Sequence, residues 1–127
     1  MGDRGSLSRL DVPVAYLLKD VVDGAGHVAQ VSVLPGHARQ GLGRVLLENA
    51  CEWALGNGLK AVTLTTFANI PWNAPYYERC GFRTLPADNL TPGLLSIRRE
   101  EADHRLDARP RVCMRRLLAE PNILDQP

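Results

Sequence analysis

The sequence has no apolar run of the ~18–20 residues that a membrane span needs. Its longest uncharged apolar stretches, such as Val12 to Leu18, have the length of a strand. Met1-Gly2-Asp3-Arg4-Gly5-Ser6 opens the chain without the apolar segment of a secretory signal, so a cytoplasmic protein is expected. Cysteine is scarce and unpaired in pattern: Cys51, Cys80 and Cys113 are odd in number and widely spaced. No C-x-x-C pair is present, which argues against a disulfide framework and against zinc, and no metal is expected. All three read as reduced, buried thiols. Charge of one sign is not in excess: 15 basic residues meet 14 acidic ones, for a net charge of +1. A dedicated nucleic-acid binder is normally strongly basic, so neither nucleic acid nor membrane is expected as a partner. Lysine is nearly missing, with only Lys19 and Lys60 among the basic residues. Neither an internal repeat nor a low-complexity tract interrupts the chain.

What is present fits one domain. The 127 residues are 45% apolar and 23% charged, ordinary values for a globular protein and too apolar for a disordered one. Residues 1–11 are polar and read as a loose segment, 12–118 as the domain and 119–127 as a tail. Val12 to Lys19 has strand character, with Pro13 at a strand start or an edge. Asp23-Gly24-Ala25-Gly26 is a turn signal, and His27 to Leu34 alternates in the period-2 manner of the returning strand. From Leu42 the period becomes helical: Leu42, Leu46, Ala50 and Trp53 share one stripe, and Gly56-Asn57-Gly58 stops the helix. Ala61 to Phe67 is β-branched and predicts a third strand. Pro75 opens a short helix through Cys80, and Phe82 to Leu85 is a short strand. Thr91-Pro92 caps a charged helix from Gly93 to Leu106, and Arg111 to Leu117 is the last strand. Hairpins mixed with helical crossovers predict an α/β (α+β) domain with a mixed sheet.

The chemistry is concentrated in Val31 to Arg44, VSVLPGHARQGLGR. A strand runs into a glycine-containing loop and the loop runs straight into a helix. That junction gathers backbone N–H groups at the positive end of a helix dipole and makes an anion site. Gly41 and Gly43 leave room for close approach, and Arg39 and Arg44 add charge. GxxxxGK[ST] is absent. A dinucleotide fingerprint fails as well, because Leu46 stands where its third glycine should be and no acid follows within Thr63 to Phe67.

Val33-Leu34-Pro35-Gly36-His37-Ala38-Arg39-Gln40-Gly41-Leu42-Gly43 resembles the acetyl-CoA loop of the GNAT N-acetyltransferase superfamily, Gln/Arg-x-x-Gly-x-Gly/Ala. It departs from the pattern only at Ala38. Asn73-Ala74-Pro75-Tyr76-Tyr77-Glu78-Arg79-Cys80-Gly81-Phe82 resembles that superfamily's Asn…Tyr-Glu-x-x-Gly-Phe segment. The resemblance implies a mixed, mostly antiparallel sheet flanked by helices, N-terminally shortened, since only about 11 residues precede Val12 where a strand and two helices are usual. An uncovered sheet face then predicts a homodimer or marginal stability.

The resemblance also implies acetyl-CoA as co-substrate and a small-molecule or peptide amine as acceptor. The pyrophosphate would rest on Arg39, Gln40, Gly41, Leu42, Gly43 and Arg44. The pantetheine arm would pair with the backbone of Val31, Ser32 and Val33, in a gap where that strand and Ala61 to Phe67 splay apart. Asn73 would bond the arm, and Tyr77 would protonate the departing thiolate, with Tyr76 competing for that role. No acid lies on the His27 to Leu34 strand, so His27 or water would take the amine's proton. The alternative is a non-catalytic acyl-CoA-binding or interaction module that kept only the loop. Plainer roles stand beside these: a surface position for His27, a helix cap for Asn73, packing for Trp72, small buried filler for Cys80. On the same terms Arg98-Arg99-Glu100-Glu101 is a solvated helix face, and Arg115-Arg116 flank a sheet edge.

Overall fold

The computed structural model describes residues 3–9, 12–34, 36, 41–104 and 109–118. Strands β1 (Asp3–Arg9), β2 (Val12–Val22) and β3 (Ala25–Val33) lead into helix α1 (Leu42–Gly56). Strand β4 (Ala61–Phe67), helix α2 (Ala74–Arg79) and the two-residue β5 (Arg83–Thr84) follow. A 3-10 turn (Ala87–Asn89), helix α3 (Pro92–Asp103) and β6 (Arg111–Leu117) complete the described elements. The strands form one sheet in the order β1-β2-β3-β4-β6-β5. All neighbours are antiparallel except β3 and β4, which are parallel.

The expected mixed, mostly antiparallel sheet with flanking helices is present. One expectation fails at the N-terminus: Asp3–Arg9 is not loose but pairs with β2 from Asp3↔Lys19 to Arg9↔Val12. Its polar side chains hid it, because an edge strand satisfies its backbone on a neighbour without an apolar run of its own. The register shift between Leu7 and Ser8 leaves one extra residue in β2 beside Pro13, the kind of place where a strand tolerates proline. A second correction concerns Arg115 and Arg116. They lie in β6, which runs between β4 and β5 inside the sheet.

Two layers cover the sheet. On one face, Leu46, Leu47, Ala50, Cys51 and Ala54 of α1 are buried. They pack with Ala15, Leu17, Val28, Val62, Leu64, Phe82 and Met114 in the main core. On the opposite face a smaller cluster joins Leu94 of α3 to Leu85 and Cys113. All three cysteines are buried free thiols, Cys80 among them.

The N-terminus of α3 is tied to the β2–β3 turn. Thr91 Oγ1 accepts from Leu94 N–H, as the Thr-Pro signal predicted, and Gly93 N–H donates to Asp23 Oδ2 at 2.7 Å. A Cβ on Gly93 would lie 2.6 Å from both Asp23 Oδ2 and Val22 Cγ1. Gly93→Ala therefore displaces the Val22 and Asp23 side chains and breaks the Asp23 contact with α3, with an expected loss of ~1–3 kcal/mol and a fall of several degrees in thermal midpoint. Gly56→Ala, whose Cβ meets open space, is the matched control and should leave the midpoint unchanged or slightly raised. Equal midpoints for the two variants would contradict the tight Gly93 contact.

Candidate active site

Strands β3 and β4 pair over only three rungs, Gly26↔Val62, His27↔Thr63 and Val28↔Leu64. At that point the β2–β3 register slips from Lys19↔Val28 to Leu18↔Gln30, so Ala29 is an extra residue in β3. A bulge bends its strand and ends local pairing. Beyond it, Val31, Ser32 and Val33 still pair with Leu17, Tyr16 and Ala15 of β2. No ladder joins them to β4. Their second backbone edge faces the gap between the diverging strands, as the expected splay requires.

The gap leads to the N-terminus of α1. Gly41 is its N-cap residue, with φ 76° in the left-handed region that suits glycine. Among the described residues no side chain caps the helix, and no acid stands in its first turn. The first intrahelical bond is Val45 N–H to Gly41 C=O, 3.1 Å, so the N–H groups of Leu42, Gly43 and Arg44 are unopposed by any local carboxylate and aim outward at the dipole's positive end. A Cβ at Gly43 would lie 3.7 Å from Tyr76 Oη and 3.9 Å from Val31 Cγ1. The first turn of α1, the open end of β3 and α2 therefore converge on one place. Arg39 and Gln40, the other two loop candidates, lie outside the described residues.

Asn73 holds the N-cap position of α2, but its side chain does not cap the helix. Its Nδ2 donates instead to Thr66 Oγ1 at 2.9 Å, fastening the start of α2 to β4 beside the gap. Tyr77 is held edge-on between Tyr76 and Phe82, with ring centroids 5.4 and 6.1 Å away. Burial, followed by the neighbouring Cys80, pushes the Tyr77 phenol above its ordinary pKa. The same causes push Tyr76 up to about 12. Both phenols therefore keep their protons at neutral pH. Trp72, the residue before Asn73, is 73% exposed and packs no core.

On the face away from α1, at the closed end of the gap, His27 is buried rather than superficial. Its Nδ1 lies 2.8 Å from Thr63 Oγ1. Two residues along β4 on the same face, the Thr65 hydroxyl donates to Glu101 of α3. Glu101 also accepts from Arg98 at 2.7 Å and Arg111 at 3.0 Å. Arg98 and Glu101 are thus not a solvated face but a latch of α3 on β4. Burial alone would raise the Glu101 pKa, but the Thr65 hydrogen bond, Arg98 and Arg111 outweigh it and hold the carboxylate below its usual range. Sequence reasoning missed Thr63, Thr65, Thr66, Glu101 and Arg111. The available signal was the set of threonines in AVTLTTF, whose hydroxyls must find partners once the strand is buried.

A family model described as "Acetyltransferase (GNAT) family" matches residues 7–82, more than half of the chain. The chain belongs to that family. Solved structures agree in fold. N-acetylglutamate synthase from Neisseria gonorrhoeae, complexed with coenzyme A and N-acetyl-glutamate, superposes with a TM-score of 0.71 at 18% identity, over 92% of this chain and 26% of that one. The ribosomal-protein-S18-alanine N-acetyltransferase from Escherichia coli gives 0.67 at 21% identity, over 96% and 72%. A GNAT-family acetyltransferase from Staphylococcus aureus Mu50 gives 0.72 at 15%, over 93% and 68%. The chain thus spans about a quarter of the first and roughly seven-tenths of the other two.

Desolvation lowers the pKa of His27 below its ordinary 6.5, and the charges of Glu101 and of Asp20, its cross-strand partner on β2, only partly offset this. The folded state therefore resists a proton that the unfolded chain accepts. Stability from this group is complete above pH ~6.5 and is lost as pH falls from there toward the lower folded pKa. Urea unfolding from pH 7.5 to 5 should show wild type losing more stability than His27→Gln. Parallel pH curves would show that His27 does not carry this loss.

Proposed function

We propose that the chain is an N-acetyltransferase that moves an acetyl group from acetyl-CoA to a primary amine by direct attack in a ternary complex. One observation carries the reading: the three-rung β3–β4 ladder opens directly below an uncapped, acid-free helix N-terminus. A slot with an extended backbone edge on one side and an anion cradle at its mouth suits a cofactor with a pyrophosphate and an amide-bearing arm. The cradle is Gly41, Leu42, Gly43 and Arg44, together with Arg39 and Gln40. The edge is Val31, Ser32 and Val33, and Asn73 steadies the opposite wall. Acetyl-CoA supplies the activated thioester, and the chain supplies positions and protons.

An alkyl ammonium has a reference pKa of ~10.4 and must lose a proton before attack. His27, neutral at pH 7, takes it if Nδ1–H donates to Thr63 Oγ1 and leaves the Nε2 lone pair free. The C–N bond then forms as the C–S bond breaks. One ammonium proton passes through His27 to solvent. Tyr77 gives its proton to the sulfur and recovers the second from the amine. A phenol above pKa ~10 is a weaker acid than a thiol near 8.5, so Tyr77 acts as a hydrogen-bond donor that completes the transfer late.

Thermal unfolding with millimolar acetyl-CoA, with ATP as comparison, tests the cradle. Ligand at ~100 times its dissociation constant adds ~2.7 kcal/mol of stability, several degrees for this chain length. Gly41→Glu should abolish the shift while leaving the unliganded protein folded. Tyr77→Phe should keep the shift and lower kcat by ~10²-fold or more. A Gly41→Glu protein that is stabilised as strongly as wild type would sink the cofactor assignment.

A further inference from the structure

On the α3 face of the sheet a cavity of ≈ 270 Å³ lies between the β2–β3 turn, the start of β4, β6 and the first turn of α3. It is smaller than the ~300–1,000 Å³ of drug-sized sites, so it suits a small metabolite. Leu85, Leu94 and Leu117 give it an apolar side, while Lys60 and Arg115 give it charge. Neither cation makes an ion pair among the described residues. The one carboxylate in the lining, Asp23, has an oxygen committed to Gly93 N–H. Arg83, across from Arg115 on β5, turns its guanidinium to the Glu78 and Phe82 carbonyls, which leaves Arg115 and Lys60 as the cations of the lining.

The cavity touches the chemistry at one point. Thr63 lines it, and Thr63 Oγ1 is the partner of His27. Arg115 is the cross-strand partner of Thr63, so their Cβ atoms are ~5 Å apart on this face. A cation that binds an acid and the imidazole that takes a proton from an amine are thus one small molecule apart.

We propose that this cavity is the acceptor pocket and that the acceptor is a small amine carrying a carboxylate. The carboxylate sits on Arg115 and Lys60, a short carbon chain lies along the leucines, and the amine reaches the Thr63–His27 pair. This deepens the acetyltransferase reading and rests on it.

The test is calorimetric titration of the full chain, saturated with desulfo-CoA, with 4-aminobutanoate and separately with n-butylamine. The acid should bind saturably and at least ~10-fold more tightly than the amine, as expected for a charge-assisted contact. Lys60→Gln/Arg115→Gln should weaken the acid at least ~10-fold while leaving desulfo-CoA binding and the thermal midpoint unchanged. Arg115→Lys should recover part of the affinity. Equal affinities for the two probes, indifference to the double variant, or displacement of the acid by desulfo-CoA would each overturn the proposal. A chain that fails to bind desulfo-CoA at all contradicts the cofactor reading instead, and the pocket is then decided by the same titration without it.

Discussion

Everything at the site depends on the parallel β3–β4 ladder stopping after Val28↔Leu64. Parallel strands in a packed sheet ordinarily satisfy one another's backbone groups along their length. Here Ala29 adds a residue to β3, the strand bends, and the backbone beyond it keeps only its β2 partner. That leaves a strand edge in the middle of a sheet, where edges are otherwise covered. An extended ligand with alternating donors and acceptors satisfies such an edge. The first turn of α1 lies against Val31 of β3, so its free N–H groups stand at the mouth of the gap.

The two faces divide the work. The α1 face holds the main apolar core, with Leu47, Val62, Phe82 and Met114 fully buried, and its polar contacts are Arg116 on Glu48 and Asn73 on Thr66. The α3 face carries a linked polar set: His27 on Thr63, and Glu101 on Thr65, Arg98 and Arg111. Buried polar groups are tolerated only where each finds a partner. Helix α3 meets most of that demand at its two ends, through Gly93 on Asp23 and Glu101 on Arg111, and leaves the buried Arg111 Nε without a partner among the described residues. Between these ends it walls the cavity in which we propose that the acceptor binds.

Much of this was legible in the sequence because local patterns decide it. The period change at Leu42, the turn at Asp23-Gly24, the β-branched run in β4 and the Thr91-Pro92 cap each name an element from its own residues. The loop-to-helix junction marked the start of α1 for the same reason. What escaped depends on partners distant in sequence. β1 has no apolar alternation, and only β2 makes it a strand. The bulge at Ala29 is a mismatch between two strands and has no signature in either one. His27 resembled a turn-flanking surface residue because burial comes from β4 and the elements over it. Glu101 sat in a run of four charges, and only the fold shows that it and Arg98 turn inward. Asn73 had the position of a cap, but the Thr66 hydroxyl 2.9 Å away took its side chain.

The central claim is that the unpaired edge of β3 is the cofactor slot. Backbone hydrogen exchange on the intact chain, with and without saturating acetyl-CoA, tests it most directly. The account predicts new protection at amides within Val31–Val33 together with those of Leu42 to Arg44, because edge and cradle are filled by one ligand. Protection at the helix N-terminus with the Val31–Val33 amides still exchanging freely would contradict it, since the bound anion would then occupy the cradle without entering the gap.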